Sequence, residues 1–120
     1  MQSIILIGDE QFTLEQIKSI NHRGATRSYA VHEGKFCVEY GVEDIVFYTV
    51  APETANEYED GELDIVPFEN PQIIMMSYKS EARMRQILSQ DDFLRALKVI
   101  YVDDTHGVIT QIEKYVEGER

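Results

Sequence analysis

Six short apolar runs set the strongest limit on what this chain can fold into: "IILI", "SYAV", "KFCVEY", "DIVFYTV", "QIIMMSY" and "KVIYV". Each is strand-length, rich in β-branched or aromatic residues, and bounded by glycine, proline or polar residues. None is long enough to span a bilayer, which needs about 20 apolar residues as a helix. The stretches between them differ in kind. Some carry helical periodicity, one is only a tight turn, and one has no periodicity at all.

The first connector, "FTLEQIKSINHRG", has a full helix-start signature. Thr13 is placed to cap an amide three residues on, Gln16 completes a capping box, and Phe12 and Ile17 form a hydrophobic staple. Leu14, Ile17 and Ile20 line one face, and Gly24 offers a left-handed stop. Glu33-Gly34 reads as the turn of a hairpin in which Phe36, Val38 and Tyr40 alternate with Lys35, Cys37 and Glu39. After "QIIMMSY", Ser80 can cap a helix burying Met84, Ile87 and Leu88. Ser89 with Asp92 can start another that buries Phe93, Leu94 and Leu97, so the segment is one bent helix or two short ones. The last stretch, "GVITQIEKYVEGE", reads as a helix with Val108, Ile109, Ile112 and Val116 on one face.

Strand–helix–strand units at both ends predict parallel crossovers, and the central hairpin requires antiparallel pairing. The expected fold is therefore α/β, with α+β as the alternative. It is a mixed sheet with a central antiparallel hairpin and three to four packed helices. The 120 residues suit one globular domain spanning 1–120.

The exception is a long acidic excursion at about 51–71, which holds all three prolines and seven carboxylates without a lysine or arginine. It is expected to contain one helical turn after Pro52 and a short edge strand near "LDIVPF".

Charge limits the partners. Asp and Glu number 22 against 11 Lys and Arg, a formal net charge of -11. Such a surface repels phosphates and anionic lipid, so neither nucleic acid nor a membrane is an expected partner. The lone Cys37 allows no internal disulfide, and the N-terminus has no basic region before its apolar run. Both point to a cytoplasmic protein.

Two readings of function follow. In the first, the chain is a non-catalytic protein-binding module, inhibitor- or immunity-like, toward a basic partner. Glu53, Glu57, Tyr58, Glu59, Asp60, Glu62, Asp64 and Phe68 would form its contact surface, with aromatic anchors in a carboxylate field. No cofactor is needed. In the second, Mg²⁺ is held by Asp9, Asp103 and Asp104 at the carboxyl ends of parallel strands, with Lys79 on a phosphate. That would be a phosphoryl- or nucleotide-handling enzyme.

"VIYVDD" and a lysine after another strand resemble pieces of phosphate-accepting receiver domains. Those domains carry the acidic pair on the first strand, and here it is on the last, so no activity is carried over. Asp103, Asp104 or Thr105 also suits a helix N-cap, and Gly8-Asp9 suits a turn. A third possibility is strand addition or homo-oligomerisation through the hairpin edge near Tyr29 or Tyr40.

No G-x-S-x-G elbow, histidine metal spacing or glycine-rich phosphate loop occurs. Cys37 reads as an inert thiol, and the methionine and aromatic stripe as core.

Overall fold

The computed structural model describes residues 1–58, 66–96, 100–104 and 108–118. Within them lie seven strands: β1 (Gln2–Gly8), β2 (Arg27–His32), β3 (Lys35–Glu39), β4 (Ile45–Val50), β5 (Gln72–Tyr78), β6 (Tyr101–Asp103) and β7 (Ile109–Gln111). Four α-helices accompany them: α1 (Leu14–Lys18), α2 (Glu81–Ser89), α3 (Asp91–Ala96) and α4 (Ile112–Gly118). A 3-10 helix covers Pro52–Glu57.

The strands form one sheet in the order β2-β3-β4-β5-β1-β6-β7. Every neighbouring pair is antiparallel. The protein is therefore broadly α+β: the two strand–helix–strand units do connect strands of the same direction, β1 with β2 and β5 with β6, but antiparallel strands lie between the members of each pair and no neighbouring strands are parallel. A separate difference lies at the chain's end. The residues read as the start of the last helix, Val108 and Ile109, instead lead into β7, which pairs back on β6 with Asp103 opposite Ile109. Helix α4 begins only at Ile112. Three residues are too few to separate a period of 2 from one of 3.6, and the β-branched Ile109 and Thr110 favour the strand.

The local start signals hold up better. Thr13 accepts the Gln16 amide at 3.2 Å, and Phe12 and Ile17 are both buried. Ser80 accepts the Arg83 amide at 3.1 Å and opens α2, whose Met84, Ile87 and Leu88 are buried. Helix α1 ends at Lys18, well short of Gly24. Gly24 does adopt a left-handed φ of 81°, but in the turn leading to β2. Gly8 is needed for a different reason. A Cβ there would sit 2.5 Å from the Phe12 side chain, which folds over the strand end.

Strand alternation sorts the core onto two faces. Ile4, Leu6, Val38, Tyr48, Met76 and Val102 pack in one large cluster with side chains of all four helices. Ile5, Ile7 and Ile73 belong to a smaller cluster on the other face. Ala51 and Val66 complete it, with Tyr58, Phe68, Met75, Tyr101 and Ile109 packed against it. The described flanks of the acidic excursion thus pack on the second face. No described helix is long and apolar enough to cross a membrane.

Candidate functional site

The antiparallel register decides which acidic residues can meet. Ile5 lies opposite Asp103 and Ile7 opposite Tyr101, so β1 and β6 end at opposite edges of the sheet. Asp9 follows the far end of β1, about 13 Å along the strand from the level of Asp103 at 3.3 Å per residue. The three carboxylates of the Mg²⁺ reading are not brought together. Among the described residues, no three His, Cys, Asp or Glu side chains cluster closely enough to hold a metal ion. Asp9 instead closes the turn after β1: its Oδ1 accepts the Gln11 amide at 2.9 Å, and its carbonyl accepts Phe12 N–H at 3.0 Å. Lys79 follows Tyr78, which pairs with Gln2, so it shares the Asp103 edge, and it is exposed.

Among the described residues no helix starts at Asp103 or Asp104; the next described element is β7. Their roles divide between the two faces. Asp103 is only 9% exposed, and its Oδ2 accepts a 2.6 Å hydrogen bond from the Tyr58 hydroxyl. That bond ties the excursion to the sheet. Beside it, Phe68 meets Tyr101 edge-on with ring centroids 6.0 Å apart, and Val66 is buried.

The residues expected to form a partner surface are therefore not alike. Tyr58 and Phe68 are half-buried anchors of the excursion itself. Glu53 is exposed, Glu57 is the last residue of the 3-10 helix, and Glu59, Asp60, Glu62 and Asp64 lie outside the described residues.

Asp104 lines a cleft of about 440 Å³ with Gln2, Ser3, Tyr78, Glu81, Arg85 and Tyr115. Its walls come from five elements or their ends, and each is held in place. Tyr78 donates toward Gln2 Oε1 at 3.4 Å, and the Ser3 and Ser77 hydroxyls pair at 3.0 Å across β1 and β5. Arg85 forms one wall. Its Nε donates to Glu81 at 3.3 Å, its NH1 donates to the Tyr115 carbonyl at 3.2 Å, and its guanidinium lies 4.8 Å over the Tyr115 ring.

Burial pushes both phenols upward in pKa. The carboxylates of Glu81 and Asp104 push them further, and Arg85 opposes this. Tyr78 and Tyr115 are thus neutral at physiological pH and keep their hydroxyl protons.

The helical i, i+4 spacing of Glu81 and Arg85 was visible in the sequence. Gln2 and Tyr115 carried no signal, because only the sheet order brings the two chain ends together here.

Cys37 is fully buried on β3. Its register partner Tyr29 has its pKa pushed up to about 12, chiefly by a hydrogen bond with the Cys37 thiol and then by one with Glu39. Comparison of the chain with protein-family models, curated proteins and solved structures found no match.

Proposed function

We propose that the protein is a non-catalytic binding module, inhibitor- or immunity-like, for a basic protein partner in the cytoplasm. The observation that carries this reading is the net charge of -11 on a chain of 120 residues. A field of that size raises the on-rate of a cationic partner and falls off within a Debye length of about 8 Å at physiological salt. Packing adds support. The excursion is pinned by Tyr58, Val66 and Phe68, so its exposed carboxylates Glu53 and Glu69 are presented from an anchored segment.

The test is a screen of small basic nucleases for one whose activity the protein suppresses, followed by stopped-flow association. The on-rate should fall as salt rises. It should also fall when Glu57, Glu59, Asp60 and Glu62 are replaced together by Gln, with thermal stability retained. Suppression of no basic nuclease, together with salt-independent binding of a polycationic peptide, would refute the reading.

One observation favours a second reading. β2 is an edge strand of the sheet, exposed along most of its length, with Val31 46% accessible. Unpaired strand edges template pairing with another chain. A second copy joining through β2 would give a dimer in sedimentation that Val31→Lys abolishes. A monomer at all concentrations would exclude it.

A further inference from the structure

We infer that the part of the second sheet face between Arg27 and Lys35 docks an extended acidic segment of a partner protein. This goes beyond the reading of the protein as an acidic binder, because it adds a surface of the opposite sign.

Register builds the surface. Tyr29 lies opposite Cys37, Cys37 opposite Phe47 and Phe47 opposite Ser77, so these side chains form one row across β2, β3, β4 and β5. Alternation puts the row on the face of Met75 and Ile5. Tyr29 and Phe47 belong to neither core cluster, and both rings are half-buried. Arg27 flanks the row on one side and Lys35 on the other.

Charge selects the sign of the ligand. Residues 18–38 hold Lys18, Arg23, Arg27 and Lys35 against Glu33 alone, a net +3 within a chain of -11. Lys18, Arg23, Arg83 and Arg85 are each paired with a carboxylate. Among the described residues, Arg27 and Lys35 have no such partner and rest on rings instead. The Arg27 guanidinium lies 4.5 Å over Tyr29, and the Lys35 ammonium 4.6 Å over Phe47. A cation stacked on a ring is held in place and keeps N–H donors directed away from it, ready for a carboxylate.

Glu39 lies opposite Arg27 and accepts the Tyr29 hydroxyl at 3.2 Å, so the surface keeps an excess of one positive charge. The anchored Tyr58 end of the excursion does not cancel it. That end sits on Asp103 of β6, four strands from β3. Four strand spacings are about 19 Å, more than twice the Debye length of about 8 Å at physiological salt.

Spacing selects the shape. Lys35 and Glu39 are four residues apart on β3, which sets Lys35 and Arg27 about 14 Å apart at roughly 3.4 Å per residue. Two carboxylates separated by three residues of extended chain match that span and point the same way. The central residue then falls over the Tyr29–Phe47 row, which suits an aliphatic side chain. Nucleic acid fits less well, because the two cations already cover the rings on which bases would stack.

The test is a ¹H–¹⁵N titration of the intact chain with three probes. They are the acetylated peptide amide Glu-Thr-Val-Thr-Glu, its Gln-Thr-Val-Thr-Gln counterpart, and a short oligothymidylate. The acidic peptide should give saturable shifts centred on Tyr29, Cys37 and Phe47, and the Gln peptide should give none. Lys35→Gln and Arg27→Gln should each weaken the acidic peptide about twofold to fivefold, the scale of one exposed ion pair. Lys114→Gln, exposed on α4 at the helix face, should leave it unchanged. Arg27 is exposed, so its variant keeps the test available if Lys35→Gln does not fold.

Equal binding of the Gln peptide, or acidic-peptide shifts absent from this face, would overturn the assignment. Focused shifts with oligothymidylate would replace it with a nucleic-acid surface, and a dimer lost in Lys35→Gln would replace it with a second copy. None of these results bears on association with a basic partner, so the proposed function stands or falls separately.

Discussion

The two faces of the sheet are covered in opposite ways. Four helices close one face over a core in which Leu6, Ile17, Met76, Met84 and Leu88 are fully buried. The other face is closed over Ile5, Ile7 and Ile73 by an excursion with few apolar residues and many charges, held by Val66, two half-buried aromatics and the Tyr58–Asp103 hydrogen bond. Stability and charge are kept on different faces. The helix face buries aliphatic volume and sets the fold. The excursion face spends few apolar side chains and so can carry carboxylates without unfolding the domain.

The contrast breaks first at the helix face. Leu88→Ala should destabilise the protein by about 2–5 kcal/mol, read from denaturant unfolding, because a fully buried leucine leaves a cavity the helix layer cannot close. On the other face, Tyr58→Phe should cost about 1–2 kcal/mol, below the full value of a hydrogen bond to a carboxylate because Tyr58 is half-exposed. Equal losses from the two variants would mean that the excursion is as much a part of the cooperative core as the helices.

Polar flaws sharpen the comparison at smaller amplitude. The Tyr48 hydroxyl is buried on the helix face with no hydrogen-bond partner among the described residues, and burial holds its pKa well above the ordinary phenol value. Tyr48→Phe removes a desolvated hydroxyl and should leave stability unchanged or raise it by about 1 kcal/mol. A clear loss in the same unfolding assay would show that the hydroxyl has a partner.

His22 lies beside Phe36 and Tyr48, with Nε2 donating to the Ile17 carbonyl at 2.9 Å. Burial lowers its pKa from 6.5, and the Ile17 bond partly offsets that. Below pH 6.5 the unfolded chain therefore binds a proton that the folded protein resists. The contribution of neutral His22 is present above 6.5 and is lost as pH falls from there through its folded value. The thermal midpoint between pH 7 and pH 5 should fall less steeply in His22→Gln, which keeps an N–H donor, than in the parent. Parallel pH profiles would remove His22 as the cause.

What the sequence disclosed follows from the range of each signal. Caps and turns are local, so Thr13, Ser80, Gly8-Asp9 and Glu33-Gly34 were legible from a few residues each. Strand positions were legible too, because alternation around Phe36 and Val38 and the apolar runs of β1, β4 and β5 need only their own neighbours.

Pairing direction was not. It turned on strand order, since β1 lies between β5 and β6 and runs antiparallel to both, and no local pattern in those three strands shows that. That order sets Asp9 and Asp103 at opposite ends of paired strands, so the carboxylates expected to share a metal ion are not brought together. Alternation at the end of β6 gives the adjacent aspartates separate roles. The cleft was hidden for a related reason: Gln2, Arg85 and Tyr115 lie far apart in the chain, and only the place of β1 between β5 and β6 brings them together.

Asp103 and Asp104, adjacent in the chain, serve opposite faces: one fastens the excursion, the other lines the cleft. Amide hydrogen exchange on Asp103→Ala and Asp104→Ala tests this division most directly, read at Ala51 and Thr54. Those amides bond to the Ile73 and Ala51 carbonyls at the root of the excursion. Exchange should be faster at both amides in Asp103→Ala and parental in Asp104→Ala. Equal acceleration in the two variants, or none in either, would contradict it.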